Sequence, residues 1–237
     1  MRSMECAIVI PVFNGERFVG TAVDSALRQT ATIPILVVDD GSTDATRRVL
    51  DERADAITVL RQDNCGTSAA WNRALRACTA TWLIGLDSDD ELEPRAVETL
   101  LMHARRAPDA DIVYSDYAFI DETGEVVRCV SNPPPDNPVR QLLRLHDRLG
   151  QSDNFVPFGH ARMYRRSALL AAGGYDESYR DAEDYELLLR LASAGATFHH
   201  VPEQLYRYRW HTTNKGVARR PQQVAEVIRA VRAAGLR

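Results

Sequence analysis

The chain has 237 residues, 45% of them hydrophobic and 26% charged, which excludes disorder and fits one large α/β domain or one domain with an appendage. A net charge of −4 gives no reason to expect nucleic acid as a partner. Fully apolar runs stay as short as AIVIPVF, too short to span a bilayer, MRSMEC carries no apolar signal core, and the four scattered cysteines read as reduced cytoplasmic thiols.

The first half alternates two hydrophobic periods. CAIVIPVF has strand length, and ERFVGTAVDSALRQ places Phe18, Val19, Ala22, Val23, Ala26 and Leu27 on one helical face. IPILVVD is a second strand, and STDATRRVLDERA a helix capped by Ser42, Thr43 or Asp44. AITVLRQ, GTSAAWNRALRAC, TWLIGLD and EPRAVETLLMHARRA continue as strand, helix, strand and helix, with Pro94 in the first turn of the last. ADIVYSDYAFI is a further strand. Strands alternating with helices imply a mainly parallel sheet covered on both faces.

The second half has another texture. YAFIDETGEVVRCV reads as a hairpin turning at Glu122, Thr123 and Gly124. NPPPDNP is a stiff connector and VRQLLRLHDRL a helix. FGHARMYRR reads as a strand, and DAEDYELLLRLASAG as a helix ended by Gly195. TFHHV and QLYRYRW read as two short strands, and PQQVAEVIRAVRAAG as a last amphipathic helix. His199 and His200 face opposite ways on a strand and read as structural.

Three polar clusters fall at strand ends: Phe13 to Glu16, Asp39 to Ser42, and Asp87 to Asp90. Ligands of open α/β sheets bind beyond the carboxyl ends of strands, so these clusters should converge. Asp87 and Asp89 are two apart in extended chain and point the same way, which suits a hard divalent cation such as Mg²⁺ or Mn²⁺; an ordinary acidic turn is the competing reading. A carboxylate of Asp39 or Asp40 can accept from a base N–H or a ribose hydroxyl, or serve an Asp-Gly turn. LVVDDGS also suggests a phospho-receiver pocket, but that needs a lysine at a further strand end, and the only lysine is Lys215.

AIVIPVFNGERFVGTAVDSALRQT, ILVVDDGSTDAT, DNCGTSAAWNRAL, WLIGLDSDDELEP, GGYDE and AEDYELLLRLASAG occur in this order. Together they resemble the inverting nucleotide-sugar glycosyltransferases of family 2, with the GT-A fold, from about Cys6 to His211. The resemblance implies an α/β fold with a GT-A-like, mainly parallel sheet flanked by helices and a smaller acceptor-side region. It implies a glycosyltransferase domain over 5–217, split into a nucleotide-sugar half (5–115) and an acceptor half (116–217), before a C-terminal amphipathic helix over 218–237.

Residue by residue, the resemblance makes Asp87 and Asp89 the D-x-D pair holding Mn²⁺ or Mg²⁺ against a diphosphate, with His211 as a further metal ligand. Asp90 and Glu91 are left to start the next helix. Pro11, Phe13 and Asp40 match the base-binding positions, Glu16 a ribose contact or a helix cap, and Asn64 and Ser88 donor-side positions. Arg209 matches a cation for the leaving group. Asp184 matches the general base, with Glu183 as the second catalytic candidate, a fallback base or a residue that orients Asp184 or binds acceptor hydroxyls, and Tyr175, Asp176 and Glu177 line the acceptor pocket. One departure stands out: where the family often has Ala-Arg-Asn, this chain has Ala70-Trp71-Asn72, so a cation expected near the donor is missing.

The implied reaction moves a sugar from a nucleoside-diphosphate sugar to an acceptor hydroxyl, in the making of cell-surface polysaccharide, glycolipid or glycoconjugate. The acceptor is a sugar or a lipid-linked sugar. Seven basic residues from Arg209 to Arg237, against Glu226 alone, leave room for peripheral contact with anionic lipid. A sugar nucleotidylyltransferase would need a Gly-rich, basic loop after the first strand, which PVFNGERF lacks. A non-catalytic nucleotide-sugar binding subunit remains the alternative that Trp71 keeps open.

Overall fold

A computed structural model describes residues 4–147, 158–212, 214 and 218–236. The first half runs β1 (Cys6–Val12), α1 (Val19–Leu27), β2 (Ile35–Asp39), α2 (Thr46–Asp51), β3 (Thr58–Arg61), α3 (Thr67–Ala77), β4 (Trp82–Gly85), β5 (Glu91–Leu92) and α4 (Ala96–Arg106). The second half runs β6 (Ile112–Ile120), β7 (Val126–Val130), α5 (Pro138–Asp147), β8 (Arg162–Arg165), α6 (Arg166–Ala171), α7 (Glu183–Ser193), β9 (Phe198–Arg209) and α8 (Arg220–Ala233). Arg148 and Leu149 of the predicted VRQLLRLHDRL helix, and Lys215, lie outside the described residues.

One sheet joins both halves in the order β3-β2-β1-β4-β8-β6-β9-β5, with β7 paired to β6. β1 to β4 are mutually parallel, as their alternation with helices predicts. Beyond β4 the sheet is mixed: β8 runs antiparallel to β4 and β6, β6 and β9 are parallel, and β5 and β7 are antiparallel additions. β1 is buried on both faces, and its alternation splits the core in two. Ile8, Ile10 and Val12 pack with α1 and α4, whereas Ala7 and Val9 pack with α3, α7 and α8. The strand order reverses between β1 and β4, and the crevice of an open sheet lies at such a reversal.

Local readings hold where the chemistry is local. The hairpin turns at Gly124, whose φ of +93° suits glycine, and Asp121 Oδ1 accepts from the N–H groups of Thr123 and Glu125. The α2 cap falls one residue later than predicted, at Ala45 in place of Ser42, Thr43 or Asp44, although Asp44 Oδ1 still accepts the Thr46 N–H at 2.9 Å. Gly195, at φ +87°, follows α7. No described helix is long and apolar enough to cross a membrane.

Two readings need correction. TFHHV and QLYRYRW form one strand, β9: the partners of Ser115 and Asp116 are Val201 and Gln204, so Pro202 and Glu203 are absorbed as a bulge where proline's missing N–H leaves no ladder bond unmade. Asp90 and Glu91 do not open a helix. Glu91 pairs with Arg207 in β5, and α4 begins only at Ala96, because Asp90 is drawn inward by buried donors described below.

Candidate active site

A cleft of about 660 Å³ opens over the carboxyl ends of β1, β2 and β4. Its first wall is the β1–α1 loop. Asn14, at φ +51°, donates its N–H to Ser42 Oγ and accepts from the Thr43 N–H, so the loops after β1 and β2 brace each other. Gly15 is required there, since a Cβ would lie 2.7 Å from Val12 Cγ2. Pro11 and Phe13 line the cleft, and Phe13 is 49% exposed, so core packing is not its role. Glu16 does not line it: its Oε2 accepts the Ala45 N–H, which makes it a brace for the start of α2.

Asp40 is buried at the cleft wall. Its Oδ1 accepts from Gln62 Nε2 and the Cys65 N–H, and its Oδ2 accepts from the Gly66 N–H at 2.7 Å. The carboxylate therefore clamps the loop carrying Asn64, which also lines the cleft. Three of its lone-pair directions are committed within the chain, which leaves one for a ligand.

The acidic cluster sits past β4. The Asp87 side chain is 52% exposed and that of Asp89 31%, and both line the cleft with Ser88. Asp90 is buried: Oδ1 accepts the Arg209 N–H and Oδ2 the Tyr206 O–H, each at 2.7 Å. The same Tyr206 oxygen accepts the Asp87 N–H. Burial first, then the charges of Asp89 and Asp87, push the Asp90 carboxyl well above its usual range.

The predicted metal trio divides. His211 Nε2 meets Asp89 Oδ2 at 2.9 Å, with its ring against Phe18. Asp87 instead shares a site with Asp90 and His160, the ligand atoms of these three lying within 4.8 Å of one another. His160 is held by stacking on Tyr208, with ring centroids 4.1 Å apart. Carboxylate oxygens with imidazoles at the rim are donors that fit Mn²⁺ or Mg²⁺, and the mutual repulsion that raises Asp90 is the kind a dication relieves.

Arg209 is not placed for a leaving group. It is 2% exposed, and its guanidinium donates to the carbonyls of Asp89, Asp121 and Glu122 and to the Glu91 carboxylate. It ties β9 to the acidic loop and the hairpin.

At the far side, Glu183 and Asp184 open α7 and line the cleft. Asp184 Oδ2 accepts from Arg162 Nη2 at 2.9 Å and Oδ1 accepts the Tyr185 N–H. Burial works to raise this carboxyl, but the Arg162 charge and hydrogen bond outweigh it and hold it below the usual carboxylate range. The turn before α7 is organised by Glu226 of α8, whose carboxylate accepts the N–H groups of Arg180, Asp181 and Ala182.

Of the three acceptor-side residues, Tyr175 alone lines the cleft. Its ring stacks on Trp71 with centroids 5.2 Å apart. Asn72 bolts the loop down: Oδ1 accepts the Tyr175 N–H, and Nδ2 donates to the Tyr175 carbonyl and Glu177 Oε1. Glu177 is thus engaged by Asn72, and Asp176 accepts the Ser178 N–H. Sequence reasoning missed His160 and Arg162. A partial signal existed, since Arg162 and Tyr164 are two apart on β8 and both line the cleft, but His160 sits in the tight turn before β8, where the strand period does not apply.

Comparison with known proteins agrees with this architecture. The family model for glycosyl transferase family 2 matches residues 7–171. The chain is 32% identical to a chondroitin synthase of Escherichia coli over 89% of its own length and 30% of that protein's. It is 27% identical to a hyaluronan synthase of Pasteurella multocida, over 89% of this chain and 21% of that one. The fold superposes on Staphylococcus aureus TarS 1-349 in complex with UDP-GlcNAc with a TM-score of 0.75 at 18% identity, covering 98% of this chain and 66% of that one. The chain therefore belongs to glycosyl transferase family 2, and it spans less than a third of the length of both synthases.

Proposed function

We propose that the chain transfers a sugar from a nucleoside-diphosphate sugar to an acceptor hydroxyl with inversion at the anomeric carbon. One observation carries this reading: a single cleft holds both the acidic cluster after β4 and an ionised carboxylate, Asp184, at the start of α7. Asp87 and Asp89 would hold a Mn²⁺ or Mg²⁺, with Asp90 and the His160 and His211 imidazoles beside them. That site would supply a positive charge to offset the one building on the departing diphosphate.

The rest is done by side chains. Phe13 offers an exposed ring to the base, and Asp40 its remaining lone pair to a base N–H. The acceptor oxygen forms its bond to the anomeric carbon as the bond to the diphosphate oxygen breaks, and the electron pair leaves with the diphosphate. Asp184 takes the hydroxyl proton, being unprotonated because Arg162 faces it. In this reading Asp184 acts on the acceptor proton and no carboxylate attacks the anomeric carbon, so the reaction is a single displacement with inversion. A sugar or lipid-linked sugar is the acceptor, and the basic face of α8 is where a lipid surface would be met. The whole protein's product, in polysaccharide or glycoconjugate synthesis, follows by analogy with the synthases.

The test is nucleoside-diphosphate release with Mn²⁺ from a panel of donors, starting with UDP-GlcNAc, since TarS was solved with it. Turnover with some donor and acceptor, lost in Asp184→Asn while donor binding stays, supports the enzyme. Binding with no turnover for any pair supports a non-catalytic subunit instead.

A further inference from the structure

Arg162 begins β8, and its side chain is nine-tenths buried. Nη2 is spent on Asp184. Nη1 is shielded from water and meets no acceptor among the described residues, although the residue lines the cleft. Buried N–H donors are rarely left unpaired, so a ligand oxygen is the natural partner.

The surroundings say which oxygen. Met163 pairs with Ile84, so the antiparallel register puts Arg162 beside Gly85. The Trp71 indole passes so close to Gly85 that a Cβ there would lie 2.8 Å from Cζ2. Trp71 stacks on Tyr175 and meets Tyr164 edge-on at 6.3 Å. An unpaired N–H donor set among largely buried aromatic side chains at the cleft wall suits a sugar ring, whose oxygens take the hydrogen bond while its C–H groups meet the ring edges. The charge of Arg162 is already balanced by Asp184, so this edge suits a neutral oxygen better than a diphosphate.

Building on the glycosyltransferase reading, we propose that Arg162 Nη1 donates to a hydroxyl or carbonyl oxygen of the transferred sugar while Nη2 orients Asp184. One guanidinium then sets the sugar and the base in a common frame. Position 71, where a cation was expected, holds an indole; β8 brings Arg162 to this side of the cleft, where Arg180, against Gly66, is a further lining cation.

The experiment is calorimetric titration, with Mn²⁺, of wild type, Arg162→Lys and Arg162→Gln. The ligands are the donor giving the largest thermal shift in a nucleotide-sugar panel and its matching nucleoside diphosphate. Lysine keeps the charge but cannot reach both partners. Both variants should bind the nucleoside diphosphate within about twofold of wild type, which also certifies their fold, and the nucleotide sugar about tenfold or more weakly. Equal losses for the two ligands, or no loss for either, overturn the inference and leave the enzyme reading standing. On the wild type, donors lacking one sugar oxygen at a time provide a check that needs no folded variant. One of them should bind about tenfold more weakly, and Arg162→Lys should lose nothing further with it; uniform binding across that series also overturns the inference. Wild type binding no donor in the panel sinks the glycosyltransferase reading, and this one with it.

Discussion

At one end of the cleft three carboxylates crowd together, and burial and mutual repulsion push the Asp90 proton affinity up. At the other end Asp184 has its counter-charge 2.9 Å away, and its proton affinity goes down. Both are acidic sites at the edge of the same sheet. On the proposed reading the acid end would be relieved by a cation from solution, whereas Asp184 has its counter-charge in Arg162. The comparison separates two carboxylates: substituting Asp87 should cost diphosphate binding, and substituting Asp184 should cost rate with diphosphate binding kept.

The largest effect expected is at the base end. Asp184→Asn should lower turnover by about 10²- to 10⁴-fold with donor affinity kept, read as nucleoside-diphosphate release. Donor affinity falling in parallel would erase the distinction. Next, chelation of divalent ions should lower turnover about a thousandfold, with full recovery on adding Mn²⁺, because the cation is worth several kcal/mol to the departing charge.

A smaller effect probes the wall between the two ends. Gly85→Ala forces a methyl against the Trp71 indole, which is buried and stacked, and overpacking of this kind costs about 2 kcal/mol. The melting temperature should drop by about 5 °C, and a Trp71→Phe background should return part of the loss. An unchanged melting temperature would mean that the indole moves freely.

The smallest effect is a pH dependence. Burial works to raise Glu226, but three N–H donors outweigh it, so its folded value lies below the ordinary 4.5. A depressed carboxylate stabilises fully above the unfolded value and loses that contribution as pH falls through the folded one. Wild-type stability should therefore fall below about pH 4.5, more steeply than in Glu226→Gln. Superimposable pH–stability curves would show that the turn before α7 does not depend on this carboxylate.

The sequence made the parallel half legible, since the apolar runs of β1, β2 and β4 and the amphipathic faces of α1, α3 and α4 are local patterns. The polar clusters at strand ends were legible for the same reason. What pairing across distant segments decides was not. Arg162 reaches Asp184 because β8 inserts antiparallel between β4 and β6, and no periodicity announces that neighbour. Arg209 looked free because its four acceptors come from the acidic loop and the hairpin, both far away in sequence. Asp40 read as a ligand-binding carboxylate, yet most of its capacity serves its own loop, whose N–H groups have no sequence signature.

The most direct test of the two-ended cleft is calorimetric titration of a nucleoside diphosphate, UDP first and then GDP and dTDP, with Mn²⁺ and with chelator. Wild type and Asp184→Asn should bind one of them only with Mn²⁺ and with similar affinity, and Asp87→Asn should lose that binding. Binding that is indifferent to the cation and to Asp87, but lost in Asp184→Asn, would contradict the account.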